Sequence, residues 1–274
     1  MHPRGLVKYA NYLFDLDGTI YLGDEVVPGA SMVIQALRER GKKLLFATNS
    51  TLYTREEIQA KLTRLDIDCK TAEIITAATA SSMYFRDYAT GAKVLLFGGE
   101  AMREELERNA IEMTYQADRA SHVLVGLDKT FDFEKLTLGM KALRNGARLI
   151  AANPDPFCPT EDGPVPDTWS IVKAIETASG LSVDAIVGKP SKYYADYALK
   201  QLGCRPEACL MVGDRLDTDI VLGIRFGMRS ALVLTGADNR EAIRRTGIVP
   251  DYVLPSIRTI VEENELDYAE KLGV

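Results

Sequence analysis

The chain has 274 residues, with 33 Lys+Arg against 39 Asp+Glu and a formal net charge of −6. Its 46% hydrophobic and 26% charged residues are ordinary for a globular protein, and at roughly 100–200 residues per domain the length suits two domains or one large one. The acidic balance argues against sequence-independent nucleic-acid binding, which needs many Lys/Arg–phosphate contacts, but not against one small phosphorylated ligand held by local positive charge.

Short apolar runs alternate with helix-like stretches along most of the chain. In chain order the pattern predicts a strand at 11–16, a helix at 29–40, a strand at 43–47 and a helix at 54–65. A strand at 93–98, a helix at 100–109, a strand at 122–126, a helix at 134–144 and a strand at 148–152 follow. Helices at 168–179 and 191–202, a strand at 208–213, a helix at 217–227, a strand at 230–234 and a helix at 256–263 complete the series. Strands separated by helices indicate βαβ units and a mainly parallel sheet. Thr54 and Glu57 have capping-box spacing, and Gly41 and Gly203 stand where C′ glycines belong. The stretch NPDPFCPTEDGPVPD (153–167) holds five of the eleven prolines and reads either as a substrate-facing domain edge or as an ordinary surface loop.

Histidine chemistry has little room. The two histidines are His2, in a terminus expected to fray, and His122, which opens the apolar run HVLVG and reads as structural. A Ser-His-Asp triad or multi-histidine zinc site is therefore disfavoured, which leaves carboxylates and lysine. The four cysteines, Cys69, Cys158, Cys204 and Cys209, have no CxxC spacing. With no apolar signal region and no run near the ~18 residues of a membrane span, they read as reduced thiols of a cytoplasmic protein with no membrane partner.

The strongest local signal is Phe14-Asp15-Leu16-Asp17-Gly18-Thr19, after the apolar Tyr12-Leu13-Phe14. Residues two apart on a strand face the same way, so Asp15 and Asp17 would project together from a strand's carboxyl end, where open α/β sheets bind ligands. Carboxylates this close repel, so a cation is expected or one stays protonated. One can then be nucleophile and metal ligand while the other is acid/base. The bland alternative is a strand ending in solvated turn aspartates. A second cluster, Gly213-Asp214-Arg215-Leu216-Asp217-Thr218-Asp219, ends strand 208–213. With Asp15, Asp214 could complete an oxygen-ligand site suited to Mg²⁺; Asp217 reads as helix-terminal dipole compensation. Thr48-Asn49-Ser50-Thr51 and Gly188-Lys189-Pro190 offer hydroxyl, amide and ammonium groups to a phosphate.

Together and in this order, these elements resemble the haloacid dehalogenase (HAD) superfamily. The match spans nearly the whole chain. VPGA (27–30), FATNST (46–51), GGE (98–100), AIETASG (174–180), VGKPS (187–191), VGDRLDTDI (212–220) and LTG (234–236) further resemble the NagD-type, para-nitrophenyl phosphatase-like subgroup, subclass IIA. The resemblance implies an α/β fold: a Rossmann-like, doubly wound, mainly parallel core (1–77 and 171–274) with an inserted smaller α/β cap of the C2 type (78–170). It implies hydrolysis of small phosphate monoesters, sugar phosphates foremost, through an aspartyl-phosphate. Asp15 would attack phosphorus, and Asp17 would protonate the leaving oxygen and then activate water. Mg²⁺ would be held by the Asp15 carboxylate, the Asp17 carbonyl and Asp214, with Asp219 orienting metal-bound water or Lys189. Thr48, Asn49, Lys189 and Arg215 would bind the phosphoryl group. Ionised Asp15, Asp214 and Asp219 carry −3, which Mg²⁺ and Lys189 balance.

In the cap, Asn153, Asp155, Phe157, Cys158 and Pro159 would select the leaving group. Vertebrate pyridoxal-phosphate phosphatases resemble this stretch but carry histidine where Cys158 aligns and tyrosine where Leu127 aligns, which counts against pyridoxal phosphate. Phosphoglycolate and pyridoxal phosphate remain the alternative substrates. A phosphotransferase is disfavoured because its cap usually follows the first motif, where this chain has no room. A non-catalytic phosphometabolite binder is disfavoured because no motif is damaged. The sequence leaves open whether caps pair into a homodimer.

Overall fold

The computed structural model describes residues 6–158 and 163–262. His2 and Pro159, named above, lie outside the described residues. In chain order come β1 (Asn11–Phe14), a hairpin of β2 (Tyr21–Leu22) and β3 (Glu25–Val26), α1 (Ala30–Glu39), β4 (Lys43–Thr48), α2 (Arg55–Arg64), β5 (Ile74–Thr76) and α3 (Ala77–Tyr88). Next are β6 (Lys93–Phe97), α4 (Glu100–Arg108), β7 (Glu112–Met113), β8 (His122–Val125), α5 (Phe133–Arg144), β9 (Arg148–Ala151), β10 (Phe157–Cys158), β11 (Val165–Pro166) and α6 (Thr168–Ser179). Then follow β12 (Ala185–Ile186), α7 (Lys192–Leu202), β13 (Cys209–Gly213), α8 (Val221–Arg225), β14 (Arg229–Val233), α9 (Arg240–Thr246) and β15 (Tyr252–Leu254).

The described residues form two compact units: 6–48, 55–75 and 194–262 make the first, and 49–54 with 76–158 and 163–193 the second. The first unit is built on a six-stranded sheet in the order β5-β4-β1-β13-β14-β15. Strand β1 pairs in parallel with both β4 and β13, as β13 does with β14 and β14 with β15. This is the 3-2-1-4-5-6 order of a doubly wound Rossmann-like sheet, in agreement with the fold class read from the sequence. Every residue of β1 is buried, as a central strand covered on both faces requires. On one face Tyr12, Phe14, Phe46, Leu210, Val212, Ala231 and Val233 pack with the α1 stripe Ala30, Val33, Ile34 and Leu37, at the spacing of one helix face. Gly41, at φ 68°, ends α1, and its N–H donates to the Arg38 carbonyl at 2.8 Å.

The second unit has its own five-stranded sheet, in the order β12-β9-β8-β6-β7, with parallel pairs throughout. Alternating residues Leu95, Phe97, Val123, Val125, Leu149 and Ala151 meet Ala142 and Leu143 of α5 and Val172 and Ile175 of α6. The unit runs past both ends of the 78–170 expected from residue arithmetic. Helix α6 packs on this unit's sheet, and β12 extends that sheet through Ala185↔Ile150 and Ile186↔Ala151. His122 heads β8, bonded through Nδ1 to Ser121 Oγ at 2.9 Å and packed edge-to-face on Phe85. Burial, then the charge of Arg148, holds its pKa below 6.5.

The pattern-based elements sit within a few residues of the observed ones. Those it passes over are short or weakly periodic: the two-residue strands β2, β3, β7, β10, β11 and β12, then β5, β15, α9 and the Ala/Ser/Thr-rich α3. The helix expected at 217–227 is a π-helical turn, Leu216–Ile220, leading into α8. The one at 256–263 is a 3₁₀ turn at Ile257–Ile260 within the described residues. The Pro-rich stretch carries a small β10–β11 hairpin.

One ion pair ties α1 to the segment before β5: Arg38 Nη1 and Nη2 meet the Glu73 carboxylate at 2.9 and 2.7 Å. Burial pushes the Glu73 carboxyl up, but the Arg38 fork and the Lys70 N–H outweigh it, and the net pKa is lowered. A carboxylate depressed on folding contributes stability that is present above its unfolded pKa of ~4.3 and is lost as pH falls through the folded value. Glu73→Gln is therefore expected to lose about 1 kcal/mol at pH 7. In urea unfolding the difference from the wild type should shrink steadily below pH 4.3; a constant difference down to acid pH would contradict the linkage.

Candidate active site

The order of the first unit's sheet reverses between β1 and β13, the point at which doubly wound sheets bind ligands beyond their carboxyl ends. Phe14 lies opposite Val212, and the Asp15 N–H donates to the Val212 carbonyl at 2.8 Å. Asp15 and Asp214 therefore leave neighbouring strands at the same edge. Asp219, in the π-helical turn, joins them. The three carboxylates are 7%, 4% and 1% exposed, and each offers an oxygen within 4.8 Å of the others.

Backbone donors hold this cluster. Asp214 Oδ2 accepts the Ala237 N–H at 2.7 Å, and the Asp214 carbonyl accepts the Asp238 N–H at 3.1 Å. Asp238 Oδ2 in turn accepts the Leu216 N–H at 2.7 Å, which pins the start of the turn carrying Asp219. Asp219 Oδ2 accepts the Arg215 N–H at 3.2 Å, and Thr235 Oγ1 donates to the Gly18 carbonyl at 2.7 Å. Sequence reasoning gave no role to Thr235, Ala237 or Asp238. The signal was the LTG run after β14, which marks another strand's carboxyl end. Glycines make the approach feasible: a Cβ on Gly18 or Gly236 would overlap the Asp214 carboxylate, and one on Gly213 would overlap Asp219. Gly18 also needs its φ of 81°.

The donor set fits a hard divalent cation: buried carboxylate oxygens, with no thiol or imidazole in the cluster. Asp219, expected only to orient a neighbour, contributes a carboxylate of its own. Asp17 stands apart from the cluster; its side chain is exposed, with the Tyr21 hydroxyl 3.5 Å from Oδ2. Asp217 is exposed, and Arg215, expected at the phosphate, sets its guanidinium against Asp217 at 3.2 Å. Thr48 is buried at the end of β4. Its carbonyl accepts the hydroxyl of buried Tyr194 at 3.3 Å, and the same hydroxyl reaches the Ile75 carbonyl at 3.0 Å.

The second unit gathers the remaining residues. Lys189 is 2% exposed. Asn49, Asn153 and Asp155 share one hydrogen-bonded network with the Lys189 backbone. Phe157, 49% exposed, and half-buried Cys158 form β10. Phe157 pairs with Pro166 and Cys158 with Val165. Leu127, buried, is held by its N–H to Thr51 Oγ1 at 3.0 Å.

Because Gly236 leaves room only for hydrogen beside Asp214, Gly236→Ala is expected to weaken divalent-cation affinity about tenfold, the cost typical of disturbing a group that orients a metal ligand. Titration calorimetry with Mg²⁺ measures it; unchanged affinity would show that the Asp214 carboxylate does not bind the ion.

The family model described as haloacid dehalogenase-like hydrolase matches residues 12–112, and a HAD-hydrolase-like model matches 186–260. The acid sugar phosphatase of Staphylococcus aureus is 33% identical over 94% of this chain and 99% of its own length. The solved p-nitrophenyl phosphatase of Archaeoglobus fulgidus superposes with a TM-score of 0.89 at 33% identity, over 93% of this chain and 99% of that one. The 4-nitrophenylphosphatase of Thermotoga maritima does so with a TM-score of 0.88 at 32% identity, over 93% and 97%. With motifs, sheet order and carboxylate cluster in agreement, the chain belongs to the haloacid dehalogenase-like hydrolases, in their NagD-type, para-nitrophenyl phosphatase-like group (subclass IIA) of phosphatases.

Proposed function

We propose that this phosphatase hydrolyses small phosphate monoesters, sugar phosphates foremost and with broad tolerance, through an aspartyl-phosphate in a Mg²⁺-dependent reaction. The observation that carries the reading is the buried trio Asp15, Asp214 and Asp219 at the switch point of the sheet. Mg²⁺ would be held by Asp15, Asp214 and the Asp17 carbonyl, with Asp219 beside them. When bound, it supplies charge neutralisation and Lewis acidity toward phosphoryl oxygens.

Asp15 is the nucleophile. It directly follows Phe14, which pairs with both Phe46 of β4 and Val212 of β13, and this supports a nucleophile held for in-line attack on phosphorus. An Asp15 carboxylate oxygen bonds to phosphorus as the ester P–O bond breaks. Asp17, exposed and two residues on, gives its proton to the leaving oxygen and then takes one from the water that cleaves the acyl-phosphate. Thr48 and the backbone N–H groups after β4 receive the phosphoryl oxygens, and Lys189 balances their charge. Asn153, Asp155, Phe157 and Cys158 would select the leaving group. The names of the relatives, acid sugar phosphatase and p-nitrophenyl phosphatase, support the substrate class. The reduced-thiol reading supports a cytoplasmic site of action. No described helix is long and apolar enough to cross a membrane.

Two outcomes test this. With para-nitrophenyl phosphate and Mg²⁺, Asp15→Asn is expected to lose at least ~10³ in kcat, the scale of losing a covalent nucleophile; full retention would sink the assignment. EDTA is expected to abolish wild-type turnover and added Mg²⁺ to restore it. In a substrate panel ranked by kcat/KM, a clear lead for phosphoglycolate or pyridoxal phosphate over sugar phosphates would overturn the substrate class.

A further inference from the structure

Asn49 sits where a phosphate ligand is expected, yet both ends of its side-chain amide are engaged by the protein. Oδ1 accepts the Lys189 N–H at 2.9 Å, while Nδ2 donates to the Lys189 carbonyl at 3.1 Å and to Asp155 Oδ2 at 3.0 Å. The Asn49 carbonyl accepts from Asn153 Nδ2 at 2.7 Å, and Asn153 Oδ1 accepts the Asp155 N–H at 3.0 Å. One side chain thus pairs with both peptide groups of a residue 140 positions away, as a neighbouring strand would. There is no slack beside it: a Cβ on Gly188 would meet the Ala152 carbonyl at 2.5 Å and Asn49 Oδ1 at 2.7 Å.

We propose that Asn49 is a positioning residue for Lys189: its amide clamps the Lys189 peptide groups, and the Asp155 carboxylate fixes the amide's orientation. The proposal rests on the reading that Lys189 meets the phosphoryl group. It goes beyond that reading in making the 153–155 loop part of the lysine's setting. Only an amide has the inventory for the task. It offers one acceptor to the Lys189 N–H and two donors, one each for the Lys189 carbonyl and Asp155, whereas a carboxylate donates nothing. A shift of about 1 Å in a group that meets the reacting centre can cost on the order of 10² in rate.

The test uses the full chain and para-nitrophenyl phosphate. Asn49→Asp can still accept from the Lys189 N–H but sets a carboxylate against Asp155, and is expected to lower kcat by on the order of 10²-fold while KM changes far less. Adding Asp155→Asn rebuilds the 49–155 hydrogen bond with donor and acceptor exchanged, and is expected to recover about tenfold. Were Asn49 a phosphate ligand, a carboxylate there would repel phosphate whatever stands at 155; a double variant no better than Asn49→Asp overturns the clamp. A second readout needs no turnover. Reductive methylation of Lys189, followed by peptide mass spectrometry, is expected to be slow in the wild type and several-fold faster in Asn49→Ser, which loses the clamp. Equal rates overturn the proposal. A wild type that hydrolyses no phosphate monoester would defeat the phosphatase reading and leave the methylation result to decide the clamp.

Discussion

Repulsion among carboxylates at one sheet edge is the constraint around which the first unit is organised. At separations near 4–5 Å and an effective dielectric constant of ~20, each pair of like charges costs about 3–4 kcal/mol. For the trio Asp15, Asp214 and Asp219 that is comparable with the whole stability of a typical domain, about 5–15 kcal/mol. Such an array persists only if its backbone is held rigidly and its charge is offset, by a cation or by protonation. Both conditions shape what surrounds it. The Asp15 and Asp214 backbones leave fully buried parallel strands, and the Asp214 and Asp219 side chains meet N–H donors from Ala237 and Arg215 respectively. The glycines at 18, 213 and 236 mark where any larger side chain would push the carboxylates away.

The same logic explains the tight turn after β13. Between Asp214 and Asp219 the chain enters a π-helical turn, Leu216–Ile220, instead of an ordinary first helical turn. That geometry is frequent at functional sites. Here it lets Asp219 fold back over Gly213 while Leu216 anchors the turn through Asp238. Asp217 is exposed and pairs with half-buried Arg215, an ion pair of the kind that contributes little to stability. Charge at this edge is thus sorted by burial: the buried carboxylates form the site, and the solvated one pairs with arginine.

The second unit solves a different problem. It is an independent parallel α/β layer with its own apolar core, so its loops can be shaped without disturbing the first sheet. Its polar network assembles the Asn49 amide, Asn153, Asp155 and the Lys189 backbone out of three separate chain segments. Every group in that network has a matching donor or acceptor, which is the condition under which buried polar groups rigidify a loop instead of weakening it. A net charge of −6 for the whole chain says nothing about such a place, whose polarity is set by the few residues that meet there.

Much of this was legible in the linear chain. Alternating apolar runs and helix-like stretches announced a parallel α/β protein. DLDGT and GDRLDTD, each following an apolar run, announced two carboxylate clusters at strand ends, because strand periodicity and strand ends are local properties. The sequence also marked Asp217 as a solvated helix-terminal residue, and so it is. It could not show that the strands bearing Asp15 and Asp214 are neighbours, because that adjacency spans some 200 residues and is decided by the sheet order. Nor could it show that the Asp219 carboxylate itself joins the cluster, where only a neighbouring, orienting role was expected, or that the 235–238 segment braces it. The division of the chain at 193, and not near 170, and the double engagement of Asn49 were equally hidden. These depend on which surfaces meet once the apolar faces are buried, and a residue's hydrogen-bond partners are chosen only when distant backbone is already in place.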